Sequence, residues 1–119
     1  MSAQALEQLR AICLALPETI EGGGVGDPTF RVRGNNKIFA MQHGVDGRPC
    51  MWCKAPPGVQ DRLVEAAPER CFVPPYVGQH GWVGLWLDVE LDWNEIADLV
   101  EDSYRMTAPK RLSKLLDAR

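Results

Sequence analysis

The sequence predicts an α+β fold, an antiparallel sheet packed against N-terminal and C-terminal helices. Three observations carry that expectation. Apolar residues recur at helical spacing near both ends of the chain. Between them lie short alternating runs separated by Gly, Asn and Asp turns. These runs follow one another without helices between most of them, which is the pattern of hairpins and not of βαβ units.

Taken in order, Leu6, Leu9, Ile12, Cys13 and Leu16 fall on one helical stripe over residues 3–16, and Pro17 ends it because the residue before a proline avoids the α region. Glu21 to Pro28, with Gly22, Gly23, Gly24 and Gly26, reads as a flexible loop. Thr29–Arg33 alternates as a strand, and Gly34-Asn35-Asn36 is a turn. Lys37–His43 and Pro49–Lys54 are further strands. The segment between them, Val45-Asp46-Gly47-Arg48, is a hairpin signal, since Asp-Gly suits a type I′ turn. Ala55-Pro56-Pro57 opens a helix whose inner side is Val59, Leu63 and Ala66 or Ala67, and Pro68 stops it. Residues 70–81 are irregular, and Trp82–Leu87 is the last clear strand. Asp92 starts a helix with Glu95 as a capping-box partner and a stripe of Trp93, Ile96, Ala97, Val100 and Tyr104. Thr107 is expected to cap a final helix with Leu112, Leu115 and Leu116 inward.

A chain of 119 residues is long enough for one core without metals or disulfides, so residues 1–119 are expected to form a single domain. No apolar run approaches a membrane span. The stretch Ala3–Leu16 contains Glu7 and Arg10 and makes a poor secretory h-region. A cytoplasmic protein with reduced cysteines and no membrane partner is the expectation. The net charge of −3 disfavours a nucleic-acid partner, but its distribution does not. Residues 31–54 carry Arg31, Arg33, Lys37, Arg48 and Lys54 against Asp46, and residues 104–119 carry five bases against Asp117. The stretch between them is strongly acidic.

Several segments together resemble the MmcQ/YjbR family: Leu14-Ala15-Leu16-Pro17-Glu18, Pro28-Thr29-Phe30-Arg31-Val32-Arg33-Gly34, Trp52-Cys53-Lys54-Ala55, Phe72-Val73-Pro74-Pro75-Tyr76-Val77-Gly78 and Ala108-Pro109-Lys110-Arg111-Leu112. The order holds over nearly the whole chain. The resemblance implies a compact fold similar to the frataxin-like CyaY arrangement and a DNA-binding role ascribed to a double-wing topology. The chain departs from the family at Gly22–Asp27, where Val25 and Asp27 replace an aromatic and a histidine, and Asn35-Asn36 looks inserted.

Catalytic and metal chemistry find little support. Cys50-Met51-Trp52-Cys53 is a C-x-x-C, but within a strand residues three apart point to opposite faces, so small buried thiols are expected and no metal or cofactor. His43 and His80 lack a nucleophile motif, and no enzymatic activity is expected. Glu95, Asp98, Glu101 and Asp102 share one helix, as acidic solvated faces often do. The stronger candidate is a sheet face. Strict alternation places Phe30, Val32, Ile38, Ala40, Met51 and Cys53 inward, and Arg31, Arg33, Lys37, Phe39, Trp52 and Lys54 on the other face, with Arg31 opposite Phe39 and Met41 opposite Trp52. Cations interleaved with aromatics suit phosphates and stacked bases; the competing reading is a helix covering Phe39 and Trp52. The expected partner is DNA or another anionic ligand, held by Arg31, Arg33, Lys37 and Lys54, with Lys110 and Arg111 adding to them. The alternative is a small-molecule or protein-binding surface on the Phe72–Trp82 loop, through Pro74, Tyr76, His80 and Trp82.

Overall fold

The computed structural model describes residues 2–24 and 27–118. Its elements run α1 (Ser2–Leu14), β1 (Thr19–Gly24), β2 (Asp27–Val32), β3 (Ile38–Val45), β4 (Arg48–Lys54), α2 (Val59–Ala66), β5 (Cys71–Phe72), a 3-10 turn (Gly78–His80), β6 (Trp82–Trp86), α3 (Trp93–Thr107) and α4 (Lys110–Asp117). The strands form one antiparallel sheet in the order β1-β2-β3-β4-β6-β5, which makes the fold α+β as the sequence implies.

The first departure is the glycine run. Read as a loop, it instead forms β1, paired with β2 from Thr19↔Val32 to Gly24↔Asp27. Side-chain alternation cannot announce the second half of this strand, Gly22 to Gly24, which has no side chains to alternate. Gly23 sits at φ +87°, and a Cβ there would press on the Asp27 carbonyl, so glycine permits the close approach. Val25 lies outside the described residues.

The hairpin expectation at Asp46-Gly47 holds: both residues take positive φ, Val45 pairs with Arg48, and Met41 faces Trp52. Strict alternation fails at Phe39, three residues after the other turn. Phe30 pairs with Ala40 but Arg31 pairs with Ile38, which leaves Phe39 as the extra residue of a bulge. Phe39 is therefore not opposite Arg31. Its ring is fully buried against Tyr104 of α3, edge to face at 5.3 Å. Ile38, expected in the core, is half-buried at the rim.

One face of the sheet carries the core. Phe30, Val32, Ala40, Met51, Cys53, Val83, Leu85 and Leu87 are buried with Leu9 and Cys13 of α1 and Ile96, Val100 and Tyr104 of α3. Val59, Leu63 and Val64 of α2 pack on the same cluster. Asp92 caps α3 through the N–H groups of Asn94 and Glu95. The Glu95 carboxylate does not close a capping box; it turns toward Arg70 at 3.8 Å. The inward stripe of α3 includes Leu99 and Ser103, which the sequence reading left out. Pro109, not Thr107, stands at the N-cap of α4, and Leu115 is exposed. The Thr107 hydroxyl instead donates back to the Ser103 carbonyl at 2.8 Å. All four cysteines are free and buried. No helix among the described residues is long and apolar enough to cross a membrane.

Candidate functional site

The turn between β2 and β3 is anchored by its two asparagines. Asn36 adopts φ +58°, a conformation asparagine tolerates, and its N–H donates to the Val32 carbonyl at 2.7 Å. Asn35 works in two directions. Its Oδ1 accepts from the Lys37 N–H at 3.0 Å, and its Nδ2 donates to the Thr107 carbonyl at 2.9 Å. Lys37 is thereby held beside the last turn of α3, and one of the carbonyls that a helix C-terminus leaves unpaired is satisfied.

Ser103 makes the second tie. Its hydroxyl accepts from the Lys54 N–H at 2.9 Å and donates to the Phe39 carbonyl at 2.6 Å. A fully buried serine thus pins α3 to β3 and β4 at the end of the sheet where Lys54 faces Trp82. The result is a cleft of about 370 Å³ lined by Asn36, Lys37, Ile38, Lys54, Trp82, Met106 and Thr107. Met106 is 40% exposed there, an apolar side chain left uncovered. The ion pairs among the described residues involve other bases (Arg10, Arg48, Arg70, Arg105 and Arg111, with His43 close to Asp27), so neither cleft lysine has a carboxylate within 4.0 Å.

The other expected cations fare differently. Arg31 is half-buried, and its guanidinium donates to Asn36 Oδ1 at 3.1 Å and Thr29 Oγ1 at 3.2 Å. Arg111 forms a bidentate pair with Glu18 at 2.9 and 3.2 Å, and that guanidinium holds the Glu18 carboxyl below the usual carboxylate range. The two basic segments do meet, since Gly34 lies against the Arg111 guanidinium, but they meet at a neutralised residue. Arg33 and Lys110 are exposed and do not line the cleft.

The loop before β6 also divides. Pro74, expected on a binding surface, is fully buried. Tyr76 is 88% exposed at φ +68°, His80 is exposed in the 3-10 turn, and Trp82 belongs to the lysine cleft. Gln60 Nε2 donates to the carbonyls of Gly78 and Trp82, which braces the loop from α2.

Opposite the helices, the sheet presents Trp52, His43, Phe72 and Trp86, but not as an open row of rings. Trp52 is only 5% exposed, with its Nε1 donating to Cys50 Sγ at 3.2 Å and the His43 ring against it edge-on at 4.6 Å. The Phe72 ring occupies the space over Gly84 and stacks on Trp86 at 4.4 Å. Arg48 covers Trp86 at 3.9 Å and is itself fixed by a bidentate pair to Asp88. The expected alternation of cations and stacking aromatics on one face is therefore corrected: Phe39 is core, Trp52 is covered, and Arg31 is engaged.

One constellation escaped the sequence reading. The hairpin register sets His43 opposite Cys50, and His43 Nδ1 lies 3.7 Å from Asp27 Oδ1. The Asp46-Gly47 turn alone would have given the His43–Cys50 pairing. Yet Cys50 is buried, its thiol donates to the His43 carbonyl at 3.4 Å, and burial pushes it up to about 11. A nucleophilic thiol needs the opposite shift. No group of three metal-ligating side chains converges among the described residues.

The model of the YjbR family matches residues 14–106 of the chain. Among solved structures, the Deinococcus radiodurans protein DR2400, with a DUF419 domain, superposes with a TM-score of 0.76 at 20% identity, covering 94% of this chain and 87% of that one. A Pseudomonas syringae protein superposes with a TM-score of 0.60 at 20% identity over 77% of this chain and 89% of that one. No curated protein matches.

Proposed function

The chain belongs to the YjbR family, and from that membership and the cleft geometry we propose that it is a non-enzymatic binding module for a phosphate-bearing ligand, with nucleic acid foremost. The observation that carries the reading is that Lys37 and Lys54, neither with a carboxylate partner among the described residues, line one cleft walled by Trp82. Two lysines lining one cleft, with no carboxylate within 4.0 Å among the described residues, favour an anion between them. The acidic 55–103 stretch would repel a long duplex, so a short or single-stranded target fits better. The thiol of Cys50, pushed up beside His43, supports binding over covalent chemistry.

Fluorescence anisotropy with a labelled 12-nucleotide single strand at low salt tests the proposal. Binding should weaken with salt at a log–log slope of about −1.4, about −0.7 for each of two neutralised phosphates. The K37E/K54E double variant should abolish it. No binding at micromolar protein, or binding indifferent to that double change, would remove the reading. The surviving alternative would then be a protein-binding surface centred on Tyr76, which a strained, braced turn holds almost fully in solvent; it predicts a partner lost on Tyr76→Ala.

A further inference from the structure

We infer that the cleft takes a single unstacked nucleotide, its phosphate between Lys37 and Lys54 and its base against Trp82 and Met106. This rests on the reading that the cleft binds anions, and adds the chemistry of the rest of the ligand. The size is the first argument. A volume of about 370 Å³ lies at the lower end for small-ligand sites. It is too small for duplex DNA, which presents phosphates on a convex surface and keeps its bases stacked inside.

The second argument is that the lining has two chemistries. Lys37 and Lys54 supply positive charge, and Ile38, Trp82 and Met106 supply apolar wall. Inorganic phosphate would satisfy the lysines and leave that wall in water. A flat heterocycle joined to the phosphate would cover both parts. Met106 suits this task because its thioether is polarisable and adapts to ring faces and edges.

The third argument is that the walls are already fixed. Asn35 ties the Lys37 backbone to Thr107, and Ser103 ties the Lys54 backbone to α3, so the ligand has only the lysine stems left to order. The polar groups at hand are largely engaged: Asn36 Oδ1 accepts from Arg31, and the Thr107 hydroxyl donates to Ser103. Few donors or acceptors remain to read a base edge. Bases should therefore be held by stacking area, purines above pyrimidines, with little further discrimination.

Titration calorimetry on the full chain separates the possibilities, with adenosine 5′-monophosphate, inorganic phosphate, a 12-nucleotide oligo-dA strand and a 12-base-pair duplex as probes. The nucleotide or the single strand should bind roughly tenfold more tightly than inorganic phosphate. Met106→Ala, an exposed truncation with little consequence for folding, should weaken the nucleotide about fivefold and leave inorganic phosphate unchanged; Trp82→Phe should act in the same direction. Micromolar affinity for the monophosphate would mark a free nucleotide as the source of this chemistry. A weak monophosphate with a tight single strand would mark the polymer. Equal affinity for phosphate and nucleotide, or a duplex bound as well as the single strand, overturns the nucleotide inference while leaving the anion reading in place. Failure of every probe overturns both.

Discussion

The outer face of the sheet and the cleft at its end are built from the same kinds of side chain, cations beside aromatic rings, and they are finished in opposite ways. On the face, Arg48 lies on Trp86 and is fixed by Asp88, Arg31 is fixed by Thr29 and Asn36, and Trp52 is covered by its neighbours. In the cleft, neither Lys37 nor Lys54 has an acid partner among the described residues, and Met106 stays 40% exposed. Proximity of charge and aromatic in sequence does not make a binding site. What distinguishes one is interaction capacity left unspent after folding. The difference in cation type fits this: a guanidinium serves several fixed acceptors at once, whereas an ammonium on a flexible stem stays available.

The largest expected effect concerns Phe39, the residue whose assignment separates face from core. As a core ring against Tyr104 it should cost about 3–5 kcal/mol when truncated to Ala, read by urea unfolding. A cost below about 1 kcal/mol would return it to the surface. Next is Ser103→Ala, which leaves the Lys54 N–H and the Phe39 carbonyl without their partner. It should cost about 1–3 kcal/mol and should also loosen the cleft, so that ligand affinity falls with stability. Third, Lys37→Ala and Lys54→Ala should each weaken a single strand by about fivefold, whereas Arg31→Ala and Arg48→Ala should change it less than about twofold.

The smallest effect is in pH. Arg111 holds the Glu18 carboxyl low, and Arg48 does the same for Asp88. A carboxyl depressed in the folded chain binds its proton more weakly there than when unfolded. These pairs therefore stabilise the fold above the ordinary carboxylate range, and lose that contribution as pH falls through the depressed folded values. Thermal melts from about pH 7 to about pH 3 should show the acid loss shrink in Arg111→Ala. An unchanged profile would mean that the exposed pair contributes nothing measurable.

Most of the fold was legible because its signals are local. The Asp46-Gly47 turn fixed a register, and the stripes of α1 and α3 fixed the faces they bury. β1 was not legible, because Gly22, Gly23 and Gly24 pair through backbone alone. Of the site, Lys37, Lys54 and Trp82 were named from the sequence but assigned to two separate surfaces. Joining them depends on contacts across long sequence separations, Asn35 to Thr107 and Lys54 to Ser103, which no alternation pattern reports. The Phe39 bulge was equally invisible, and it changed both the core list and the basic row. The asparagine pair that looked like an insertion is what positions Lys37, and an Asn in a turn was the available clue.

The contrast between anchored arginines and available lysines can be read directly by side-chain NMR during titration with a 12-nucleotide single strand. The account predicts that the Lys37 and Lys54 ε-methylene resonances and the Met106 methyl shift with ligand, while the Nε–H resonances of Arg31 and Arg48 stay in place. Movement of the two arginines with the lysines unmoved would contradict it and put the ligand on the open face of the sheet.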